Sequence, residues 1–452
     1  MIISKFGGTS VADAAAIGRT AEIVRGRLPR RPIVVVSALA GVTNALLAIA
    51  RQASEGNFIS AVSSVEALRT RHLIEVDALL ESSSEHAEIS AEISVIFDEL
   101  ASLCEALSVL GFITARSLDA IAGMGERASS MLVAAAFRAR GIDAVYVDAR
   151  TVMITDDTYG RAEPQAEAIS LAARSLVAPL VLEGKVPVMG GYIGSSTNGI
   201  TTTLGRGGSD YSASLIGAGL QADSIEIWTD VDGMLTADPR VVPTARPIEQ
   251  IRFDEASELA SFGAKVLHPA TIAPAVRLGI PVWIYNSRNP AGHGTRITFD
   301  APRRAVTAIA AKRDTTILRV ATGKMLFQHG FLRRVFELFD EHSVSVDVVA
   351  TSEVSVSVTV DDSAPLDVLL GALRQIGDVS VERRRAIVSV VGSGIADDAD
   401  AMGTVLRALG HRKIYMLSLS ASAINLTILL DDADAPDAMR ALHAALFDTP
   451  SP

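Results

Sequence analysis

The sequence predicts an α/β fold: a mainly parallel sheet sandwiched by helices, followed by two smaller βαββα modules. Three observations carry this expectation. Hydrophobic residues make up 49% of the 452 positions and aromatic ones only 5%. The core must therefore be packed from Ala, Val, Leu and Ile, as in parallel strands buried on both faces. Across residues 1–300 short aliphatic runs alternate with stretches of helical periodicity. From about Thr315 the pattern changes to a shorter unit, and that unit occurs twice.

In order, a strand start at Ile2–Ser4 precedes a helix over Ala14–Arg25, and Pro32–Ser37 reads as a buried strand with a helix after Thr43. Phe58–Leu80 and Ala87–Leu110 carry apolar residues at helical spacing around a polar break, which predicts a helical hairpin. Ser117–Arg140 reads as one long helix, and further strands are expected at Ala144–Asp148, Val186–Gly190, Ser224–Thr229 and Pro281–Tyr285. In the repeat, Val354–Val360 followed by a helix from Pro365 matches Ala423–Leu430 followed by a helix from Pro436. Ile317–Val320 likewise corresponds to Ile387–Val391, and the helix Phe331–Phe339 to one near Asp400–Leu409. These patterns divide the chain into a domain over 1–300, a charge-rich linker over 301–314, and modules over 315–385 and 386–452.

A formal net charge of −11 argues against nucleic acid as the main partner. The single cysteine, Cys104, excludes disulfides within the chain and cysteine-based zinc sites, and its helical setting suits core filling. The histidines are scattered, with no metal-ligand spacing. Only two apolar residues separate Met1 from Ser4, and no apolar run approaches the roughly 18 residues of a membrane span, so a cytoplasmic protein without a membrane partner is expected.

The densest chemistry lies in Thr201–Tyr211, where Gly205, Gly207 and Gly208 interleave with Arg206 just before Ser209, Asp210 and a helical pattern. Glycines admit backbone N–H groups close to an anion, and a helix N-terminus adds partial positive charge. Arg206 offers a planar fork to a carboxylate or phosphate, and Asp210 could orient a cation. Lys5-Phe-Gly7-Gly8-Thr-Ser10 closes the first strand as a second anion cradle, although it fits neither standard nucleotide-binding fingerprint. Ser37–Asn44 opens a helix with hydroxyls: Ser37 and Thr43 either donate to a carboxylate or, for Thr43, cap the helix. Glu126, beside Gly123 and Gly125, either holds an ammonium or lies on a solvated helix face. Thr229-Asp230 closes an aliphatic strand where a nucleotide would sit, and Lys265 precedes a helix start.

Together these segments resemble aspartate kinases, of the amino-acid kinase superfamily. The resemblance rests on Lys5–Val11, Val36–Asn44, Gly125-Glu126-Arg127, Gly205–Asp210, Thr229–Val231, Asp238-Pro-Arg240 and Phe262–Pro269. It extends over the tail, where the repeat resembles paired ACT modules. It implies an amino-acid-kinase fold and transfer of the γ-phosphoryl of MgATP to the side-chain carboxylate of L-aspartate. By this resemblance Lys5, Gly7, Gly8 and Asp210 serve phosphoryl transfer. Ser37, Thr43, Glu126, Arg206 and Ser209 hold aspartate, with Arg206 on its α-carboxylate and Glu126 on its ammonium. Lys5, Gly7, Gly8, Thr229, Asp230, Leu235, Arg240, Lys265 and Val266 hold ATP, although Leu235 stands where many relatives carry tyrosine. ATP and Mg2+ are the implied cofactors, with no metal site built from the protein alone.

Met325–Leu332 and Val344–Glu353 resemble the effector site of lysine-inhibited members, which makes Met325, Phe331, Leu332, Val346, Asp347, Ser352 and Glu353 candidates for holding an amino acid, lysine foremost. Val344–Val349 and Val354–Val360 also read as plain half-buried strands. Exposed strand edges in such modules invite pairing, so a homodimer or larger assembly is expected. Two rival readings stand beside this one: a superfamily member acting on glutamate, acetylglutamate or UMP, and a catalytically silent amino-acid sensor.

Overall fold

The structure is a computed structural model, and it describes residues 1–263, 269–322, 330–362 and 364–448. It divides into two units, one of Met1–Met234 with Val266–Ala301, the other of Leu235–Lys265 with Pro302–Pro452.

In the first unit seven strands form a sheet in the order Ala144–Tyr146, Val186–Gly190, Pro32–Val36, Ile2–Phe6, Ser224–Thr229, Val282–Asn286, Thr295–Thr298. All neighbours run parallel except the last pair. The strands Ile2–Phe6, Pro32–Val36 and Val186–Gly190 are buried at every residue, which explains their unbroken aliphatic sequences. Helices Ala14–Arg27, Val42–Ser54, Phe58–Leu80, His86–Leu110 and Met124–Ala139 pack over one face, and Cys104 fills this core. The stretch Ser117–Arg140 is two helices, Ala115–Ala122 and Met124–Ala139, not one. Gly123 sits between them with 3.1 Å from an added Cβ to Thr201 Cγ2, so the chain turns where there is no room for a side chain.

In the second unit one six-stranded antiparallel sheet serves both modules, in the order Val349–Thr351, Ser355–Asp361, Ala308–Ala321, Asp378–Val391, Asn425–Asp431, Met416–Leu419. Two strands are 14 residues long, and each gives one half to each module. Thr315–Ala321 pairs with Ser355–Asp361 in the first, whereas Ala308–Lys312 pairs with Ile387–Val391 in the second. The modules thus exchange strands instead of following one another, and each keeps its own core: Leu318, Val335 and Leu369 in one, Ile309, Val388 and Leu442 in the other.

This overturns the linker expected over 301–314, whose second half is strand. Its charges misled because they are engaged in ion pairs with distant acids: Lys312 meets Asp347 and Asp361, each at 2.8 Å, and Arg313 meets Asp432. Residues 235–265 also separate from the domain expected over 1–300, and Ala237 and Val242 lie in the second module's core. Val344–Val348 is irregular, with strand only over Val349–Thr351, and both Asp347 N and Val348 N bond to Thr359, at its carbonyl and its hydroxyl, in place of a regular ladder. Among the described residues no helix is long and apolar enough to cross a membrane.

Candidate active site

Parallel strands deliver their carboxyl ends to one edge of the sheet, so the loops after Phe6, Val36 and Gly190 meet there. They enclose a cavity of about 620 Å³ whose wall includes Lys5, Gly8, Ser37, Thr43, Glu126, Arg206, Ser209 and Asp210. Nearly all the residues singled out for phosphoryl transfer and aspartate binding are therefore brought together from four separate stretches of chain.

Glycines make this convergence possible. Gly207, at φ 71°, starts the helix Gly208–Leu220 from a left-handed turn that places Asp210 in the first helical turn. A Cβ on Gly191 would stand 2.7 Å from Ser209 Cα, so only glycine lets strand end and helix start touch. Ser209 then receives the hydroxyl of Ser37 at 3.0 Å. Gly125 is equally tight, 2.9 Å from Ala38 Cβ to an added Cβ, and it presses the first turn of Met124–Ala139 onto the loop after Val36.

Two carboxylates in the cavity differ sharply. Asp210 pairs with Lys5 Nζ at 2.6 Å, with side-chain exposures of 15% and 10%. Glu126 is 3% exposed; among the described residues its Oε1 accepts only a long 3.3 Å bond from Ala38 N, and its Oε2 has no partner. Burial pushes the Glu126 carboxyl from 4.5 up to about 8. That corresponds to a penalty on the order of 5 kcal/mol on its charged form, which a cationic ligand would relieve. Arg206 is exposed at the cavity wall.

Several details depart from the expectations. Gly7 N–H donates to the Trp228 carbonyl at 3.1 Å, extending the sheet, so of the glycine pair Gly8 lines the cavity. Gly41, at φ 80°, and not Thr43 is the N-cap of Val42–Ser54, which leaves the Thr43 side chain at the cavity wall. Thr229 and Asp230 lie at the end of Ser224–Thr229 outside this wall, hydrogen bonded to each other at 3.3 Å. Leu235 and Arg240 belong to the second unit, where Arg240 pairs with Asp238 at 2.7 Å. Lys265, Val266 and Met325 lie outside the described residues.

Two contributors escaped the sequence. Tyr192 lines the cavity in a left-handed conformation, φ 66°, rare for a bulky residue. Asp119, 2% exposed, accepts from Thr203 N (3.0 Å), Thr203 Oγ1 (2.7 Å) and Gly160 N (2.8 Å), fixing the strand that leads into Gly205-Arg206. The glycine pair before Tyr192 was the available signal; Asp119, in mid-helix, gave none.

In the second unit Phe331 and Leu332 open the helix Phe331–Glu341, and Ser352 closes the hairpin turn before Ser355–Asp361 through a 2.8 Å bond to Ser355. Glu353 is exposed at that turn. The Asp347 side chain, beside Val346, is 23% exposed, and burial raises its carboxyl against the opposing pull of Lys312.

A strand-end cleft of this kind followed by such modules defines a kinase of small carboxylates or amino acids with a regulatory tail. Residues 1–286 match the amino acid kinase family and 388–446 the ACT domain. Lysine-sensitive aspartokinase 3 of Escherichia coli is 38% identical over 99% of both chains, and the chloroplastic aspartokinase 2 of Arabidopsis thaliana is 36% identical over 99% of this chain and 84% of its own. The crystal structure of E. coli aspartokinase III with aspartate and ADP aligns at a TM-score of 0.85 over 99% of this chain and 100% of its own. Its complex with lysine and aspartate aligns at 0.83 over 99% of both chains. The chain belongs to the aspartokinases of the amino acid kinase family.

Proposed function

We propose that this chain transfers the γ-phosphoryl group of ATP to the side-chain carboxylate of L-aspartate, giving 4-phospho-L-aspartate and ADP, and that L-lysine inhibits it. The observation that carries the reading is the cavity in which Lys5–Asp210, Arg206 and Glu126, whose Oε2 has no partner among the described residues, face one volume. A substrate with one ammonium and two carboxylates is the complement of that set. Membership of the aspartokinases, one relative of which is lysine-sensitive, supports both halves.

An aspartate side chain has a pKa of about 3.9 and is ionised at neutral pH, so the attacking oxygen needs no general base. The difficulty is repulsion between a carboxylate and a polyphosphate. In the proposed pose Arg206 grips the α-carboxylate, and Glu126 gives up its proton to solvent and receives the ammonium. Ser37, Thr43 and Ser209 orient the side chain. Lys5, already held by Asp210, neutralises charge building on the phosphoryl group as its bond to ADP breaks and the new P–O bond forms. The site fits Mg2+, since Asp210 supplies a single carboxylate at the helix start and Mg2+ commonly takes one or two. Asp210 would hold the ion, which would supply charge neutralisation.

The effector reading places lysine at Phe331, Leu332, Val346, Asp347, Ser352 and Glu353. The outer strands Val349–Thr351 and Met416–Leu419, with Val349, Leu417 and Leu419 each about 40% exposed or more, support self-association through sheet edges.

Trapping acyl phosphate with hydroxylamine tests the substrate. Hydroxamate is expected with aspartate and ATP and not with glutamate; product from glutamate alone would overturn the assignment, and none from either would favour a silent sensor.

A further inference from the structure

We propose that Tyr192 helps to choose the substrate: its phenol oxygen is a second acceptor for the ammonium group, beside Glu126, and a hydrogen-bond chain through Thr203 to Asp119 keeps it an acceptor. The inference rests on the aspartate reading of the cavity and adds a residue to which that reading gives no task.

Backbone and ring are both held in place. Tyr192 follows Gly190 and Gly191, where an added Cβ would stand 3.1 Å from Glu126 Cβ and 2.7 Å from Ser209 Cα, so this segment runs in contact with two residues of the cavity wall. Its N–H donates to Ser212 Oγ at 3.0 Å, and its carbonyl accepts from Leu204 N at 2.9 Å. A Cβ on Gly208 would stand 2.8 Å from Tyr192 Cδ2, so the ring lies on the first turn of the helix Gly208–Leu220. The left-handed backbone at φ 66° is costly for so large a residue. Glycine would remove that cost, so the side chain is what the position keeps.

The direction of the protons follows from counting them. Asp119 accepts from Gly160 N, Thr203 N and Thr203 Oγ1. A threonine hydroxyl has one proton, and Thr203 gives its own to Asp119 at 2.7 Å. The Tyr192 phenol has Thr203 as its side-chain hydrogen-bond partner, and towards the phenol Thr203 can then only accept. Burial raises the phenol above its ordinary range, so it is protonated at neutral pH and its proton is the one that Thr203 receives. Only lone pairs remain for the cavity that Tyr192 lines.

An ammonium carries three N–H donors. Glu126 offers it Oε2, which has no partner among the described residues. A neutral oxygen nearby supplies another bond without burying a further charge. A dicarboxylate lacking the ammonium would leave both acceptors unpaired, which is the stronger ground for rejecting it.

Isothermal titration of the full-length protein with L-aspartate and with succinate, which lacks the ammonium, tests this. Tyr192→Phe removes the oxygen and keeps the ring. It should weaken aspartate binding ~10-fold, the scale of one hydrogen bond to a charged group, and leave succinate affinity unchanged. Asp119→Asn keeps an oxygen for the two backbone donors and turns an amide towards Thr203, which frees the Thr203 proton for Tyr192. Alone it should weaken aspartate binding; added to Tyr192→Phe it should change little further. Unchanged aspartate affinity in Tyr192→Phe, an equal loss for succinate, or full additivity of the two substitutions would each overturn the proposal. Hydroxamate formed from aspartate by the unaltered enzyme would then leave the substrate assignment standing, whereas its absence together with no aspartate binding would overturn both.

Discussion

Charge is handled in opposite ways in the two units. In the catalytic cleft few charges are present and, Arg206 apart, they are buried: Lys5 and Asp210 in one tight pair, Glu126 with an oxygen that no protein group among the described residues reaches. In the modules charges are many and mostly half-exposed, as with Lys312 between Asp347 and Asp361 or Arg334 between Glu337 and Glu341. A buried charge makes a site intolerant of change and strongly responsive to the one ligand that fits. Exposed pairs are weak individually and readily exchanged, which suits a surface where effectors compete with side chains.

The largest effect that sharpens this contrast is expected from Lys5→Ala. Removing a preorganised cation should lower turnover at least ~10²-fold, and it leaves Asp210 buried beside an empty space. Kinetics measured on protein whose circular dichroism is intact separate the two consequences; near-normal turnover would remove Lys5 from phosphoryl transfer.

Next comes Glu126. Its folded-state value, about 8, lies above the 4.5 of an unfolded chain, so between those values the folded state holds the extra proton. Stability of the ligand-free protein therefore falls as pH rises from about 4.5 to about 8, by up to roughly 5 kcal/mol. Urea melts at several pH values should show this fall, and Glu126→Gln should flatten it. A slope unchanged by that substitution would mean Glu126 is solvated after all. Aspartate binding in two buffers of different ionisation enthalpy should also report proton release near pH 7.

The smallest effect belongs to the modules. Glu353→Ala should raise the lysine concentration giving half-inhibition while uninhibited rates stay normal, and Lys312→Ala should change unfolding free energy by no more than ~1 kcal/mol. A large loss of stability in the latter would erase the distinction between the units.

Legibility followed the range of the interaction. The buried parallel strands declared themselves as aliphatic runs, and the glycine-rich loops declared the cleft, because both signals are local. The break at Gly123, the left-handed Tyr192 and the role of Asp119 depend on contacts with Thr201, Ser212 and Thr203, which no window of sequence contains. The stretch 301–314 misled for the same reason: Lys312 and Arg313 look like a solvated connector until Asp347 and Asp432 are folded against them.

The shared strands also set an order of events. During synthesis the segment from Ala308 emerges early, yet its partner ending at Val391 follows about 80 residues later. Until then the ribosome-bound chain carries an unmated edge, so the second module cannot close before nearly the whole polypeptide has been made. A cut anywhere in between would release neither module intact, and a push on either long strand is felt by both halves of the sensor at once.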